Sequence, residues 1–282
     1  IIVDLSNPHI LEDMDYFRPS AIHFQQHKKF TNLRPNPAPS SEYGKWIREE
    51  VRRCYEGYIR ESDGEWITGD MYFFLNYCPI QLVKKDSKGK SLRVIDFPKV
   101  WEGHYYKFHY LNQCRNSGKH AMELASRGKG KSYCGASLLA KRFILGESRE
   151  VSKKVQCVAT ASEKKYIQGA NQLLDMFQYY IDFNANNTQF PSRRLTSTLN
   201  NLQWTMGYID VDSGTRRGSE NSVIGITSKD DESKLRGSRG VLYLLEEAGA
   251  FPRLLNLYSV LRPSVEDGDN VWGLIFGYGC LT

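Results

Sequence analysis

The eight residues Ala125-Ser-Arg-Gly-Lys-Gly-Lys-Ser132 restrict what this chain can fold into more than any other stretch. An apolar run, Ala121-Met-Glu-Leu, leads into them. From Tyr133 to Leu145 a helical pattern follows, with Ala136, Leu139, Ala140 and Phe143 at i, i+3, i+4 and i+7 and Gly146 as a natural C-cap. Strand, glycine-rich turn ending in Gly-Lys-Ser, helix is the anatomy of a phosphate-binding loop. Gly128 and Gly130 let the backbone curl so that its N–H groups face phosphate oxygens, and the helix N-terminus adds partial positive charge. Lys131 is placed to bridge the β- and γ-phosphates of a nucleotide, and the Ser132 hydroxyl to ligate Mg²⁺. The general pattern wants glycine at position 125, where this chain has Ala125.

Around this loop the sequence alternates between elements. After the loop helix come a buried strand, Val155–Thr160, and a long helix capped by Ser162 with Tyr166, Ala170, Leu173, Leu174, Phe177 and Ile181 on its apolar face. Thr196–Ser213 reads as hairpin material, and Ser222–Thr227, Val241–Leu245 and Val271–Phe276 as further strands. Near-continuous apolar strands alternating with helices predict an α/β fold, a mainly parallel central sheet flanked by helices. Residues 1–115 are expected to form an N-terminal arm and accessory region, and residues 116–282 the P-loop core. Five of the ten prolines fall in residues 1–40, which predicts an extended arm. Ser40 or Ser41 caps a helix to about Tyr58, and Glu65–Tyr77 reads as strand around a Thr-Gly-Asp turn. Gln81–Ile95 reads as a hairpin turning at Asp86–Lys90, and the aromatic-rich Phe97–Cys114 as a helix, its rings core rather than a base-stacking shelf.

No run of 18 apolar residues exists, so no membrane span is expected. The six cysteines form no C-x-x-C pair, which argues against a zinc site or disulfide framework and for a reduced compartment. They read as filler. The net charge of +6 is compatible with a polyanionic partner without requiring one. The chain opens on Ile1 without a signal peptide and stops at Thr282 just after an apolar strand, so it is expected to be a fragment of a longer polypeptide.

The partner motif is Val241-Leu-Tyr-Leu-Leu-Glu-Glu-Ala248, 115 residues from Lys131 to Glu246. An apolar strand ending in two acids is the Walker B form. Glu246 would support the metal through water, and Glu247 would orient or deprotonate the attacking water. Two carboxylates with separate duties are what NTP hydrolysis needs. Aspartate is usual at the first position, so Glu246 is a departure. Arg127 and Lys129 sit inside the loop beside the γ-phosphate position, although solvated loop charges would look the same.

These motifs resemble the large terminase subunit of tailed bacteriophages, the ATP-driven motor that packages DNA. Ser126-Arg-Gly-Lys-Gly-Lys-Ser132 is similar to that family's Ser-Arg-x-x-Gly-Lys-Ser/Thr loop, which accounts for Ala125. Lys234-Leu-Arg-Gly-Ser-Arg-Gly240 resembles its Arg-Gly signature ahead of Walker B, and Ile275-Phe-Gly-Tyr-Gly279 its coupling motif, a turn after the next strand. The resemblance covers about residues 120–282. It implies nucleotide contacts from Ser126, Arg127, Gly128, Lys129, Gly130, Lys131, Ser132 and Tyr133, and a metal site at Ser132 and Glu246. Catalysis would fall to Glu247, Lys131 and Arg127, and coupling to Gly277, Tyr278 and Gly279, with Arg236 and Arg239 as candidate trans arginine fingers. It further implies a homo-oligomeric ring on the procapsid portal in the host cytoplasm, with double-stranded DNA and the small terminase subunit as partners. The family's nuclease domain would lie beyond Thr282. A helicase-type motor and a non-catalytic nucleotide-binding scaffold are the rival readings.

Overall fold

The computed structural model describes residues 13–36, 38–85, 89–148, 154–198, 202–228, 235–237 and 239–280. Pro8, Pro37, the turn at residues 86–88, Lys234, Ser238 and the last two residues lie outside them. The chain divides into two compact units: Ile2–His109 with Asn186–Gln189, and Tyr110–Ala185 with Phe190–Thr282.

The first unit contains helices α1 (Pro19–His27), α2 (Glu42–Glu56) and α3 (Gly69–Tyr77). It also holds the hairpins β1 (Tyr58–Arg60)/β2 (Glu65–Ile67) and β3 (Ile80–Lys85)/β4 (Ser91–Asp96), and the start of α4 (Glu102–Asn116). Two expectations change here. The proline-rich start is not all extended: Pro19 occupies the first turn of α1, where its missing N–H costs nothing. Asn76 supplies the cap, its Oδ1 accepting from the N–H groups of Ser20 and Ala21 at 3.1 Å each. The Thr-Gly-Asp segment begins a helix and is not a turn between strands, because the Thr68 hydroxyl accepts from Met71 N at 3.2 Å and caps α3. Ser41 caps α2 in the same way through Gly44 N at 2.9 Å. In α4 the aromatic stretch divides, with Phe108 in the core and Trp101, just before the helix, 41% exposed.

At the centre of this unit lies a buried carboxylate. Glu50 accepts from Ser20 Oγ at 2.7 Å, Tyr72 OH at 2.9 Å and Tyr77 OH at 2.5 Å, and pairs with Arg53 at 2.9 Å. Both oxygens are thereby satisfied, which burial demands.

The second unit is built on a seven-stranded sheet. Its strands are β5 (Ala121–Leu124), β6 (Gln156–Ala161), β7 (Arg194–Thr198), β8 (Gln203–Met206), β11 (Ser222–Thr227), β12 (Leu242–Glu246) and β15 (Leu274–Gly279). They lie in the order β5-β15-β12-β6-β11-β8-β7. The first five are parallel, and β8 and β7 join antiparallel. Two short hairpins accompany it, β9 (Tyr208–Ile209)/β10 (Arg216–Arg217) and β13 (Glu266–Asp267)/β14 (Asn270–Val271). β12 and β15 are buried at every residue, as strands covered on both faces should be. Helix α5 (Lys131–Leu145) and helix α7 (Leu173–Asn187) cover one face, where Phe143, Phe177 and Trp204 meet edge to face at 5.6 and 5.2 Å. Helix α8 (Leu254–Leu261) covers the other, with Leu257 and Leu261 against Val158, Tyr243, Leu245 and Ile275.

The mainly parallel α/β architecture is therefore as expected. The single long helix after Ser162 is not observed. A short α6 (Lys164–Ile167) starts after Glu163, and the chain breaks at Gly169 (φ 130°) and Asn171 (φ 62°). α7 then starts afresh, with Asp175 accepting from Asn171 N at 3.0 Å. The break wins because glycine and asparagine accept left-handed backbone that a helix cannot continue through. The expected strand 271–276 is likewise divided at Trp272-Gly273, which separates β14 from β15. No helix among the described residues is long and apolar enough to cross a membrane.

Two stability outcomes follow for the first unit. Glu50→Ala should cost at least about 3 kcal/mol, because it leaves three buried hydroxyls without their acceptor at about 1–3 kcal/mol each, whereas Glu49→Ala, 40% exposed, should cost under about 1 kcal/mol; urea unfolding measures both. Burial pushes His104 and His109 down to about 4, Lys107 adding to the shift of His104. Between about 6.5, the ordinary histidine value, and 4 the unfolded chain binds more protons than the folded one. The contribution of these two histidines is therefore full above about 6.5 and falls with pH below it, outweighing the single opposing carboxyl among the described residues, Glu246, which burial raises. Urea midpoints at pH 7 and pH 5, above the range of most carboxylates, check this; a flat profile contradicts it.

Candidate functional site

The glycine-rich loop joins the C-terminal end of β5 to the N-terminus of α5. Gly128 (φ 77°) and Gly130 (φ 71°) are both left-handed, and Gly130 is the residue from which α5 starts. A β-carbon at either would be strained there, which is why the loop is built on these two glycines. The loop tip, Ser126 to Lys129, is exposed, Arg127 included. Tyr133 is half-buried in the first turn of α5. Lys131 is 7% exposed, and its Nζ donates to the loop carbonyls of Ala125 at 2.9 Å and Ser126 at 3.1 Å, with Cys280 Sγ at 3.3 Å.

Strand β12 delivers Glu246 to the same place. Its Oε1 accepts from Ser132 Oγ at 2.7 Å and its Oε2 from Tyr278 OH at 2.6 Å. Parallel pairing explains the second contact, since Glu246 and Tyr278 are direct register partners on β12 and β15 and their side chains leave on the same face. Burial pushes the Glu246 carboxyl up to about 7; the bonds from Tyr278 and Ser132 resist that rise, Glu247 adds to it and Lys131 opposes it. Tyr278, fully buried beside this carboxylate, is held well above its ordinary value and stays a donor. A serine hydroxyl and a carboxylate oxygen 2.7 Å apart at the mouth of a phosphate loop are hard oxygen donors of the kind Mg²⁺ takes, in a site that supplies few protein ligands and leaves the rest to water and phosphate. No cluster of three or more His, Cys, Asp or Glu side chains competes for a metal among the described residues.

Glu247 turns the chain off the strand. Its backbone is left-handed (φ 49°, ψ 57°), a costly geometry for a residue with a side chain. Its Oε2 accepts from Cys280 N at 3.1 Å, so the carboxylate lies against the end of β15. Tying this end to the loop is the Ala125 N–H, which donates to Gly279 O at 3.2 Å. Lys131, Ser132, Glu246 and Glu247 thus converge at the C-terminal edge of the parallel strands, where open α/β sheets hold their ligands.

Two placements differ from expectation, those of the Gly277–Gly279 segment and of Cys280. Gly277-Tyr278-Gly279 is the last half of strand β15, not a turn beyond it. Arg236 and Arg239 precede β12, at the opposite end of that strand from Glu246, separated by its five residues at about 3.3 Å each. There they line a cavity of about 600 Å³ with Ser259, Val260, Pro263 and Ser264, so they do not serve this chain's own loop. Cys280, grouped with the filler cysteines, touches Lys131 and Glu247. The other five cysteines are buried and form no disulfide. A cysteine directly after the Gly-Tyr-Gly segment was the available signal.

The strain at Glu247 gives a backbone test. Glu247→Gly and Glu247→Ala lose the same carboxylate, but only glycine accepts φ 49° freely, so the glycine variant should be about 1 kcal/mol the more stable in urea unfolding. Equal stabilities would remove the strain.

No family model matches the chain, and no curated protein matches it in sequence. Among solved structures, the large terminase of bacteriophage HK97 aligns over 74% of this chain and 36% of its own, at 12% identity and a TM-score of 0.43. The large terminase ATPase domain of Thermus phage P74-26 aligns over 57% of this chain and 59% of its own, at 16% identity and a TM-score of 0.40. The large terminase of a thermophilic bacteriophage, solved in complex with ADP, aligns over 58% and 34%, at 13% identity and a TM-score of 0.31. The chain thus spans between 34% and 59% of the length of these three. Each of these three solved structures is a phage large terminase or its ATPase domain.

Proposed function

We propose that this chain is the ATP-hydrolysing domain of a phage DNA-packaging motor of the large terminase type. The observation that carries the ATPase reading is the convergence of Ser132, Glu246 and Glu247 on the N-terminus of α5. The 2.7 Å Ser132–Glu246 bond is the pairing expected of a phosphate loop and Walker B carboxylate. The N–H groups of the loop, from Gly128 to Tyr133, receive the phosphates, and Lys131 exchanges its loop carbonyls for β- and γ-phosphate oxygens. Mg²⁺, when bound by Ser132 and through water by Glu246, supplies charge neutralisation for those oxygens. Glu247 orients a water for in-line attack on the γ-phosphorus and takes its proton as the bond to the β-phosphate oxygen breaks. Arg127, exposed on the loop, meets the charge growing on the γ-phosphoryl group.

The motor part of the reading rests on the sequence motifs. Ser126-Arg-Gly-Lys-Gly-Lys-Ser132 in place of a glycine-headed loop, the Arg-Gly segment before β12 and Gly277-Tyr278-Gly279 on β15 support it together. In that reading the chain works in a homo-oligomeric ring on the portal of a procapsid in the host cytoplasm, moving double-stranded DNA with the small terminase subunit as partner. Arg236 and Arg239, remote from their own loop, are then the arginines available to a neighbouring subunit's ATP.

Steady-state ATP hydrolysis with and without double-stranded DNA, wild type against Glu247→Gln, tests this. The variant should lose about 10²–10⁴-fold in kcat, the usual worth of a positioned base, while still binding nucleotide. Equal, near-zero rates in both would remove the enzyme, and stimulation by single strands alone would turn the reading to a helicase.

A further inference from the structure

Glu246 stands where a shorter aspartate is usual, and the structure contains what the longer side chain requires. Glutamate has one more rotatable bond than aspartate, so a buried glutamate loses more freedom and must be held by more than its backbone. Here each oxygen has a separate donor, Ser132 on Oε1 and Tyr278 on Oε2. The phenol is wholly buried and donates at 2.6 Å to an acceptor 4% exposed. It occupies one oxygen and turns the other towards Ser132. Its place depends on a third residue. A β-carbon at Gly135 would lie 2.3 Å from the Tyr278 hydroxyl oxygen and 3.0 Å from the ring carbon that bears it. Gly135 lies inside α5, where glycine costs about 1 kcal/mol relative to alanine. Its φ is not left-handed, so room for the phenol is the reason for it.

We propose that Tyr278 is a positioning residue that presents Glu246 to the metal, and that Glu246, Tyr278 and Gly135 form one device replacing the usual aspartate. It rests on the ATPase reading above and deepens it. The phenol does not meet the nucleotide. It fixes which carboxylate oxygen faces the Ser132 hydroxyl, and because Tyr278 belongs to β15, it links the metal-binding carboxylate to the strand whose end also holds Glu247.

The test is Mn²⁺ binding, followed by electron paramagnetic resonance with a non-hydrolysable ATP analogue, in wild type, Tyr278→Phe and Gly135→Ala. Removing an outer partner of a metal-holding group commonly weakens metal binding 10–100-fold, so about a 10-fold loss is expected in both variants. Affinity for the analogue measured in EDTA should stay within about twofold. In a Glu246→Asp background the shorter side chain no longer reaches the phenol, and adding Tyr278→Phe should change Mn²⁺ affinity less than about twofold. Unchanged Mn²⁺ affinity in Tyr278→Phe, with or without a lower Tm, overturns the proposal, as does a full 10-fold loss in the aspartate background. If Tyr278→Phe does not fold, Gly135→Ala, which displaces the phenol and keeps the ring, decides in its place. Wild type that binds neither analogue nor Mn²⁺ removes the ATPase reading itself; wild type that binds both beside an unaffected Tyr278→Phe removes the device alone.

Discussion

A carboxylate 4% exposed at the end of β12 is the constraint on which this structure turns. Burial penalises its charge, so each oxygen needs a donor, and the donors come from different elements. Ser132 comes from the first turn of α5, which requires the glycine loop to deliver that turn to the end of β12. Tyr278 comes from β15, which requires β12 and β15 to run parallel and in register. Moving the register by one residue would send Tyr278 to the other face of the sheet and leave Glu246 half-satisfied. The polar site and the apolar sheet therefore specify the same arrangement.

The end of β15 ties the remaining groups together. Gly279 O receives the Ala125 N–H at the base of the loop, and Cys280 N donates to Glu247. Lys131 reaches Cys280 Sγ as well as the loop carbonyls. The glycine-rich loop, Glu246 and Glu247 are thus all hydrogen-bonded to one strand end, Tyr278 to Cys280. Any displacement of that strand is felt by every group of the site. The segment expected as a coupling turn, Gly277-Tyr278-Gly279, is part of that strand.

The first unit follows the same rule with different residues. Glu50 gathers α1, α2 and α3 through Ser20, Arg53, Tyr72 and Tyr77, and Asn76 caps α1 from α3. None of this is periodic. The serine cap and the helix of α2 were readable, but the pairing of Glu50 with hydroxyls 22 to 30 residues away is a tertiary fact.

By itself the sequence determined the alternation of strands and helices around the loop in the second unit and which side chains stand at its strand ends. Local signals carry that information: two glycines before Lys131 and Ser132, an apolar pentapeptide before Glu246 and Glu247, and the 3.6-residue spacing of α5. Where a local signal competed with backbone geometry the expectation failed, as at Gly169 and Asn171, which divide α6 from α7, and at Thr68, whose hydroxyl starts a helix. What only the tertiary structure decided is which distant groups share a carboxylate. Tyr278 lies 32 residues from Glu246 and Gly135 lies on another element, and their meeting depends on strand order and register, which no spacing along the chain encodes. Arg236 and Arg239 teach the converse: near Glu246 in sequence, they are carried to the far end of β12 because an extended strand separates its ends by its whole length.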